Sequence, residues 1–375
     1  MDIASFRIIH ISDLHIASKA NIVSRFFGSN GDPDVKAYKD FLQTSHDKDA
    51  TESLAGFLTL QCRNESVDLV LVSGDVAAAG LHQHLEMAQS FLIDPDELGR
   101  EERSDMPYCG VPKDHLMFMP GNHDRFQPQH FTTRTMAEAI EPDGILFDDV
   151  FAGQWISPDD QVGQIIVGRS HRNIVAKKIT NKSGIGPDLY VISADFCLTS
   201  IDEAEGIGER LPFAYAGQGL AHKEVIADLV KLTKEIQSKE YPNIVIWVSH
   251  FPPFLEKELD ADKRNLRLIG AKYLREAAEK NGIGIILSGH LHADKTLSFG
   301  VTTQIWCTGA TTCMDFILPR ALHGIEFTVR EGMVEAKRYT YEYKRIPGEG
   351  RTFVRCDAIE PDSHTWELVH HKPSV

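Results

Sequence analysis

Six continuous apolar runs, separated by stretches with helical periodicity, dominate the hydrophobic pattern between residues 6 and 288. Such runs are typical of strands that are covered on both faces, and they lie at 6–12, 67–73, 115–120, 188–201, 243–249 and 283–288. The helical stretches lie at 49–64, 81–93, 222–236 and 271–280. Because strands that alternate with helices are typical of layered folds, the pattern predicts an α/β protein.

The pattern changes after residue 296, where shorter runs indicate a β-rich stretch. Strands are predicted there at 302–309, 324–343 and 351–356. Glu331-Gly332 is predicted to form a hairpin turn within the second of these ranges. The last twenty residues are predicted to form a tail. The part of the chain after residue 296 should therefore add strands to the layered fold and then end in an irregular extension.

Polar residues that can bind metal follow five of the six apolar runs. They are Asp13 with His15, Asp75, Asn122 with His123 and Asp124, His250, and His290 with His292. In open α/β sheets, ligands bind outside the carboxyl ends of the strands, so these side chains are expected to converge in space. A glycine precedes Asp75, Asn122 and His290 and lets the backbone turn sharply at each strand end.

The donor atoms in these motifs are carboxylate oxygens, imidazole nitrogens and one amide oxygen, with no thiolate. That set suits Mn, Fe, Zn or Ni ions. Taken singly, each motif has an ordinary alternative: Gly-Asp is a common turn, Asp-x-His is a surface pair, and a buried histidine is a core residue. Five such motifs, each at the end of an apolar run, favour a metal site over these alternatives.

The five motifs resemble those of the calcineurin-like metallophosphoesterase superfamily, and they span residues 13 to 292. The resemblance implies two divalent or mixed-valence metal ions, with Asp75 as the bridging ligand. The first metal would be held by Asp13, His15 and His292, and the second by Asn122, His250 and His290. His123 would be a catalytic histidine outside the coordination sphere, and Asp124 would orient His123 or a ligand. Asn122, His123 and Arg125 are the expected substrate contacts.

The same resemblance implies a four-layer α-β-β-α sandwich of two mixed sheets. The expected domain covers residues 1–345, and residues 346–375 form a C-terminal extension. Segments 16–48 and 125–187 have no clear periodicity and begin just after a motif, so we expect both insertions to overhang the site. The implied reaction is metal-dependent hydrolysis, in which a hydroxide that bridges the two cations attacks the phosphorus of a phosphoester.

Details of the motifs favour a phosphodiester substrate, with a cyclic nucleotide as the first choice. The second motif continues with Ala78 and lacks both the second Asp and the Arg that serine/threonine phosphatases of the family carry there. The blocks at 10–15, 249–253 and 289–312 resemble bacterial cyclic-nucleotide phosphodiesterases, although many of those also keep the second Asp. The alternatives are a DNA-end-processing nuclease, a broad-specificity phosphatase and, least favoured, a non-catalytic protein-binding scaffold.

The net charge and the cysteine pattern predict which partners the protein binds and in which cellular compartment it works. The chain has 39 Lys and Arg against 54 Asp and Glu, a net charge of −15, which disfavours nucleic acid as a partner without excluding it. Six cysteines without a Cys-x-x-Cys pair, no leader sequence and no membrane-length apolar run predict a cytoplasmic enzyme with no membrane partner. The sequence leaves the oligomeric state open, a homodimer included.

Overall fold

Two mixed sheets of seven strands each form the body of the molecule. The computed structural model describes residues 4–17, 45–64, 67–99, 106–126, 146–152, 165–166, 172–197, 218–239, 242–261, 263–313, 320–348 and 350–370. All statements about the fold concern these residues.

The first sheet is built around three parallel strands, β1 (Ala4–Ile11), β2 (Leu69–Val72) and β3 (Leu116–Phe118). Its antiparallel half comes from the C-terminal part of the chain and contains β13 (Ala321–Arg330), β14 (Met333–Ile346), β15 (Gly350–Arg355) and β16 (Asp362–Glu367). β13 pairs with β1, and β14 is long enough to pair with β13 on one side and with both β15 and β16 on the other.

The second sheet has the order β11-β12-β10-β8-β6-β5-β4. Its strands are β4 (Ile165–Ile166), β5 (Arg172–Ile179), β6 (Leu189–Ala194), β8 (Ile244–Val248), β10 (Ile285–Ser288), β11 (Lys295–Phe299) and β12 (Thr303–Cys307). The four strands β6, β8, β10 and β12 are parallel, and the outer strands are antiparallel. A separate pair joins β7 (Gly219–Leu220) to β9 (Leu268–Ile269).

Seven α-helices connect the strands within the described residues. They are α1 (Lys48–Arg63), α2 (His82–Leu92), α3 (Pro95–Leu98), α4 (Asn122–Arg125), α5 (Leu146–Val150), α6 (Lys223–Gln237) and α7 (Ala271–Lys280). Helix α1 begins where the Asp47 side chain accepts a hydrogen bond from the backbone of Ala50, which satisfies one donor of the first turn. Among the described residues, none of the helices combines the length and apolar composition that a bilayer crossing requires.

Side-chain alternation along the central strands shows how the layers stack. In β8, Ile244, Ile246 and Val248 join the core cluster shared with the first sheet. The intervening Val245 and Trp247 join a second cluster with helices α6 and α7. Because successive strand residues point to opposite faces, the second sheet is covered by the first sheet on one side and by helices on the other. This arrangement confirms the predicted α/β class with two mixed sheets.

The predicted tail is wrong. Strand β16 lies within the last twenty residues, and Trp366 on it is buried in the core shared by the two sheets. Strand β14 ends one residue beyond the predicted domain boundary at 345, and β15 and β16 both pair with it. Strand β16 was hard to predict because it is an edge strand whose sequence, DSHTWE, has one large apolar residue.

Candidate metal centre

The predicted metal-binding residues follow strands of both sheets, at the edge where the parallel strands end. Asp13, Asp75 and Asn122 come shortly after β1, β2 and β3, while His250 and His290 come two residues after β8 and β10. All five are buried, with exposures between 0% and 7%. The convergence predicted from the strand ends is therefore present in the structure.

One group of ligand atoms surrounds the carboxylate of Asp13. The Nε2 atom of His15 lies 3.8 Å from Asp13 Oδ1 and 3.6 Å from Asp75 Oδ2. The Nε2 atom of His292 lies 3.4 Å from the same Asp13 oxygen. These residues are the ones that the sequence predicts to hold the first metal, together with the bridging Asp75.

A second group of ligand atoms lies on the other side of Asp75. The Nε2 atom of His250 lies 3.2 Å from Asp75 Oδ2 and 3.0 Å from Asn122 Oδ1. A nitrogen of His290 completes a set with Asp75 and His250 whose ligand atoms lie within 4.8 Å of one another. The Oδ2 atom of Asp75 is therefore close to one imidazole nitrogen from each group, as a ligand shared by two cations would be.

Two buried polar atoms at the centre of the first group have no hydrogen-bond partner, namely Asp13 Oδ1 and His15 Nε2. A buried polar atom without a partner costs free energy, so such atoms are rare. The separations of 3.4 to 3.8 Å around them are too long for hydrogen bonds. They approach the separations of about 3 to 3.5 Å between ligands that each lie about 2.0–2.2 Å from a shared cation. The donor set therefore fits a metal ion.

Five of the seven predicted ligands share an unusual backbone conformation. Six non-glycine residues in the described ranges have a positive φ, and five of them are predicted ligands: Asp13, His15, Asp75, His290 and His292. This left-handed conformation costs about 1–3 kcal/mol for a residue with a side chain and is found mostly at functional sites. The cost is tolerated here because each turn points a ligand side chain toward the same centre.

Hydrogen bonds to backbone carbonyls fix which nitrogen of each imidazole faces the site. The Nδ1–H group of His250 donates to the carbonyl of Ser73 at 2.8 Å, so Nε2 is the atom that faces Asp75 and Asn122. The Nε2–H group of His290 donates to the carbonyl of Leu266 at 3.1 Å, which leaves Nδ1 for a cation. Partners of this kind hold a metal-binding histidine in one tautomer and one orientation.

The buried carboxylates among the predicted ligands stabilise positive charge at the site. Burial alone would raise the pKa of Asp13, but interactions with His15 and His292 hold that pKa well below its usual value. Burial is the largest single influence on the pKa of His250 and lowers it, yet the charge and hydrogen bond of Asp75, together with the charge of Asp13 and the Ser73 carbonyl, raise the net pKa to about 9. The buried carboxylates thus stay ionised and attract a proton to the site, and bound cations would supply the same compensation.

A sequence model of the calcineurin-like phosphoesterases matches residues 6–294, which contain all of these motifs. The chain belongs to this family. Membership supports hydrolysis of a phosphoric ester as the activity of the protein. No curated protein matches the sequence of this phosphoesterase.

Solved structures similar to this phosphoesterase have low sequence identity to it, and the first described here shares its fold. A dimetal phosphatase from Danio rerio has a TM-score of 0.53 at 13% identity, over 98% of this chain and 100% of that chain. A 5'-nucleotidase from Candida albicans has a TM-score of 0.35 at 12% identity, over 88% and 46%. Vacuolar Protein Sorting 29 from Cryptosporidium parvum has a TM-score of 0.31 at 10% identity, over 94% and 97%.

His123 lies beside the two groups of ligands. Its backbone N–H donates to Asp75 Oδ1 at 2.8 Å, and its ring packs edge-on against His15 with centroids 4.4 Å apart. Its Nδ1–H donates to the carbonyl of Ala78 at 2.8 Å. The position that lacks the family's second Asp thus still orients His123, through its backbone. Burial, opposed by the charge of Asp75, lowers the pKa of His123 to about 4.

Asp124 holds two of the motif loops together. Its carboxylate accepts hydrogen bonds from the backbone N–H groups of Val76 at 3.1 Å, Ala77 at 2.7 Å and Gly121 at 2.8 Å. The first two residues directly follow Asp75. Of the two roles expected for Asp124, the geometry matches the orientation of a ligand, because the carboxylate fixes the loop that carries Asp75.

Arg125 does not contact the site in the way the sequence suggested. Its guanidinium group is fully buried and forms ion pairs with Asp148 at 2.7 Å and Asp195 at 2.9 Å. Because successive residues of a helix point in different directions, the neighbour of Asp124 in sequence faces away from the motif residues. The expected substrate contact is corrected to a structural role, in which Arg125 ties α4 to α5 and to the end of β6.

A thiol lies next to the first group of ligands, although the motifs contain no cysteine. The sulfur of Cys313 and one nitrogen each of His15 and His292 lie within 4.8 Å of one another. In the sequence, Cys313 follows the strand predicted at 302–309. Strand β12 is parallel to β10, so the residues after Cys307 reach the same edge as His290 and His292.

Proposed function

We propose that the protein is a dinuclear metal-dependent phosphodiesterase. The observation that carries the proposal is the position of Asp75, whose Oδ2 atom lies 3.6 Å from His15 Nε2 and 3.2 Å from His250 Nε2. A carboxylate placed between two imidazole groups, each with further ligands beside it, suits a pair of cations. The proposed first site is Asp13, His15, Asp75 and His292, and the second is Asp75, Asn122, His250 and His290.

Each protein group in this site has a defined task. When bound, the two cations supply Lewis-acid activation of water and neutralise charge on the phosphoryl oxygens. The Asp124 carboxylate and the Ser73 carbonyl keep Asp75 and His250 in place. The Nδ1–H group of His123 is bound to the Ala78 carbonyl, and its Nε2 atom is proposed to meet the phosphoryl group or the leaving oxygen.

The charges around the motifs favour a diester. A phosphomonoester dianion carries one more negative charge than a diester, and sites that prefer it usually supply arginine donors. Arg125 is buried against Asp148 and Asp195, so the guanidinium adjoining the third motif is not available to a substrate. A cyclic nucleotide remains the preferred diester. Segments 16–48 and 125–187, which largely fall outside the described residues, are proposed to wall the site.

One observation favours a broad-specificity phosphatase as the second candidate. The ammonium group of Lys263 donates a hydrogen bond to the carbonyl of Leu291 at 2.5 Å. Leu291 is the residue between His290 and His292 in the sequence. A cation at this place is suited to the extra charge of a monoester. The nuclease alternative has no comparable support, because the net charge of −15 disfavours nucleic acid.

Comparing the hydrolysis of a diester with that of a monoester distinguishes the phosphodiesterase from the broad-specificity phosphatase. The bis-nitrophenyl and mono-nitrophenyl phosphates share a leaving group, and kcat/KM for each is measured with the same reconstituted metal. We expect faster hydrolysis of the bis-ester, and Asp75→Ala prepared in parallel accounts for any contaminating phosphatase. A preference for the mono-ester would reject the diesterase assignment. The rate with a cyclic nucleotide and with single-stranded DNA then distinguishes the diesters.

A further inference from the structure

Cys313 is buried beside two residues of the proposed first metal site. Its side chain is 1% exposed, and its sulfur lies within 4.8 Å of one nitrogen of His15 and one nitrogen of His292, which also lie within that distance of each other. A buried cysteine usually acts as a small apolar residue. Cys313 differs from that ordinary case because its neighbours are imidazole nitrogens of two predicted ligands.

The segment that carries Cys313 is fastened along the loop that carries Asp13 and His15. The backbone N–H of Thr311 donates to the carbonyl of Ser12 at 3.0 Å, and the backbone N–H of Ser12 donates to the Thr311 hydroxyl at 3.2 Å. The Thr312 hydroxyl donates to the carbonyl of Leu14 at 2.7 Å. These bonds fix the position of the thiol relative to the ligand loop.

The cysteine backbone is held from its other side as well. Cys313 forms an antiparallel β-bridge with His46, and its carbonyl accepts a hydrogen bond from the side chain of Arg320 at 3.2 Å. The residue is therefore held between the His15 loop and the start of α1. A donor atom that is fixed before a cation arrives loses little conformational entropy on binding.

The first site also contains two buried polar atoms that have no hydrogen-bond partner, as expected of atoms that bind a cation. His15 Nε2 is buried and has no hydrogen-bond partner, and the Oδ1 atom of Asp13 at 3.8 Å from it has none either. An ion held by these two atoms and His292 would lie in the neighbourhood of the thiol. Sulfur is a soft donor that favours zinc and similar ions over manganese or magnesium.

We propose that Cys313 binds, as a thiolate, the cation that Asp13, His15 and His292 hold, and that it biases this site toward thiophilic metals. The inference rests on the proposed dinuclear site and adds to it a sulfur ligand. Binding releases the thiol proton to solvent. The first and second positions then differ in chemistry, since the second has oxygen and nitrogen donors, and the protein is expected to hold two different cations when both are supplied.

Cobalt reconstitution tests the sulfur ligand without relying on activity. A thiolate bound to Co²⁺ gives a near-ultraviolet charge-transfer absorption that oxygen and nitrogen ligands do not give. The wild-type protein is loaded with Co²⁺, its metal content is measured, and its spectrum is compared with that of Cys313→Ser. Cys62→Ser is the control, because Cys62 is a half-buried thiol on α1. We expect the band in the wild type and in the control, and its loss in Cys313→Ser.

Competition between Zn²⁺ and Mn²⁺ gives a second readout. Cys313→Ser keeps the size of the side chain and removes the soft donor, so the ratio of zinc to manganese affinity should fall by about tenfold or more, the loss typical for partners of metal ligands. The Cys62→Ser ratio should equal that of the wild type.

The outcomes separate this inference from the function on which it rests. Two cobalt ions bound without the charge-transfer band, or a band that persists in Cys313→Ser, would overturn the thiolate ligand while leaving the dinuclear site intact. A wild-type protein that binds neither cobalt nor zinc would overturn both. If Cys313→Ser misfolds by circular dichroism, the band and the zinc preference of the wild type decide, since both are measured on the unaltered protein.

Discussion

Gly121→Ala would displace the proposed bridging ligand without removing any ligand atom. A Cβ added at Gly121 would lie 2.2 Å from Asp75 Oδ1 and 2.5 Å from the Asp75 backbone nitrogen. The backbone at Gly121 has φ −107° and ψ −172°, which alanine adopts without strain. The effect of the substitution therefore comes from steric contact, and the nearest atoms all belong to Asp75.

The size of the displacement follows from ordinary contact distances. Van der Waals contact for a Cβ begins at 3.4 Å, so the Asp75 oxygen at 2.2 Å must give way by 1.2 Å. Catalytic groups tolerate errors of about 0.5 Å, and a misplacement of about 1 Å can cost roughly 100-fold in rate. We expect kcat/KM to fall by about 100-fold or more, and the overpacking to cost about 1–3 kcal/mol of stability.

The assay measures kcat/KM for a nitrophenyl phosphoester, bound metal by elemental analysis, and the free energy of unfolding in urea. Gly56→Ala is the matched control, because an added Cβ there meets nothing within 4 Å on α1. It should leave activity unchanged and stabilise the helix by up to about 1 kcal/mol. Full activity and full metal content in Gly121→Ala would show that Asp75 is not held where the account requires it.

Three further substitutions test separate parts of the account. His123→Ala should keep both metals and lose about 100- to 10,000-fold in kcat, measured with metal content on the same sample; loss of metal would place His123 among the ligands. Arg125→Ala should lower the free energy of unfolding by roughly 3–5 kcal/mol, because the buried Asp195 loses the guanidinium group that neutralises its charge. Trp366→Ala should cost about 3–5 kcal/mol in urea unfolding if the C-terminal strands belong to the core; an unchanged midpoint would contradict that.

The parts of the fold that could be predicted are the strands whose ends are marked in the sequence by a turn or by a ligand motif. The runs before Asp75 and His250 are continuous and apolar because their strands are buried along their whole length, so the ends of these strands could be predicted. The turn at Glu331-Gly332 could be predicted because a glycine interrupts a stretch with a strand pattern. Both residues have the positive φ that a tight hairpin requires.

The parts that could not be predicted depend on partners distant in sequence. Strand β5 carries two lysines between its apolar residues, and it is defined by pairing with β6 rather than by its own pattern. Strand β16 takes its register from β14. Arg125 adjoins a catalytic motif, yet its direction is set by Asp195, some 70 residues away in the chain. Adjacency in sequence was a poor guide to contact for that residue.

The metal content of the wild-type protein and of Asp75→Ala tests the central claim most directly. Both proteins are stripped with a chelator, reloaded with the same divalent metal and analysed for ions bound per chain. Because the Asp75 carboxylate lies between His15 and His250 and is proposed to serve both cations, we predict two ions in the wild type and loss at both positions in the variant. A wild type that binds one ion, or a variant that still binds two, would contradict a shared dinuclear site.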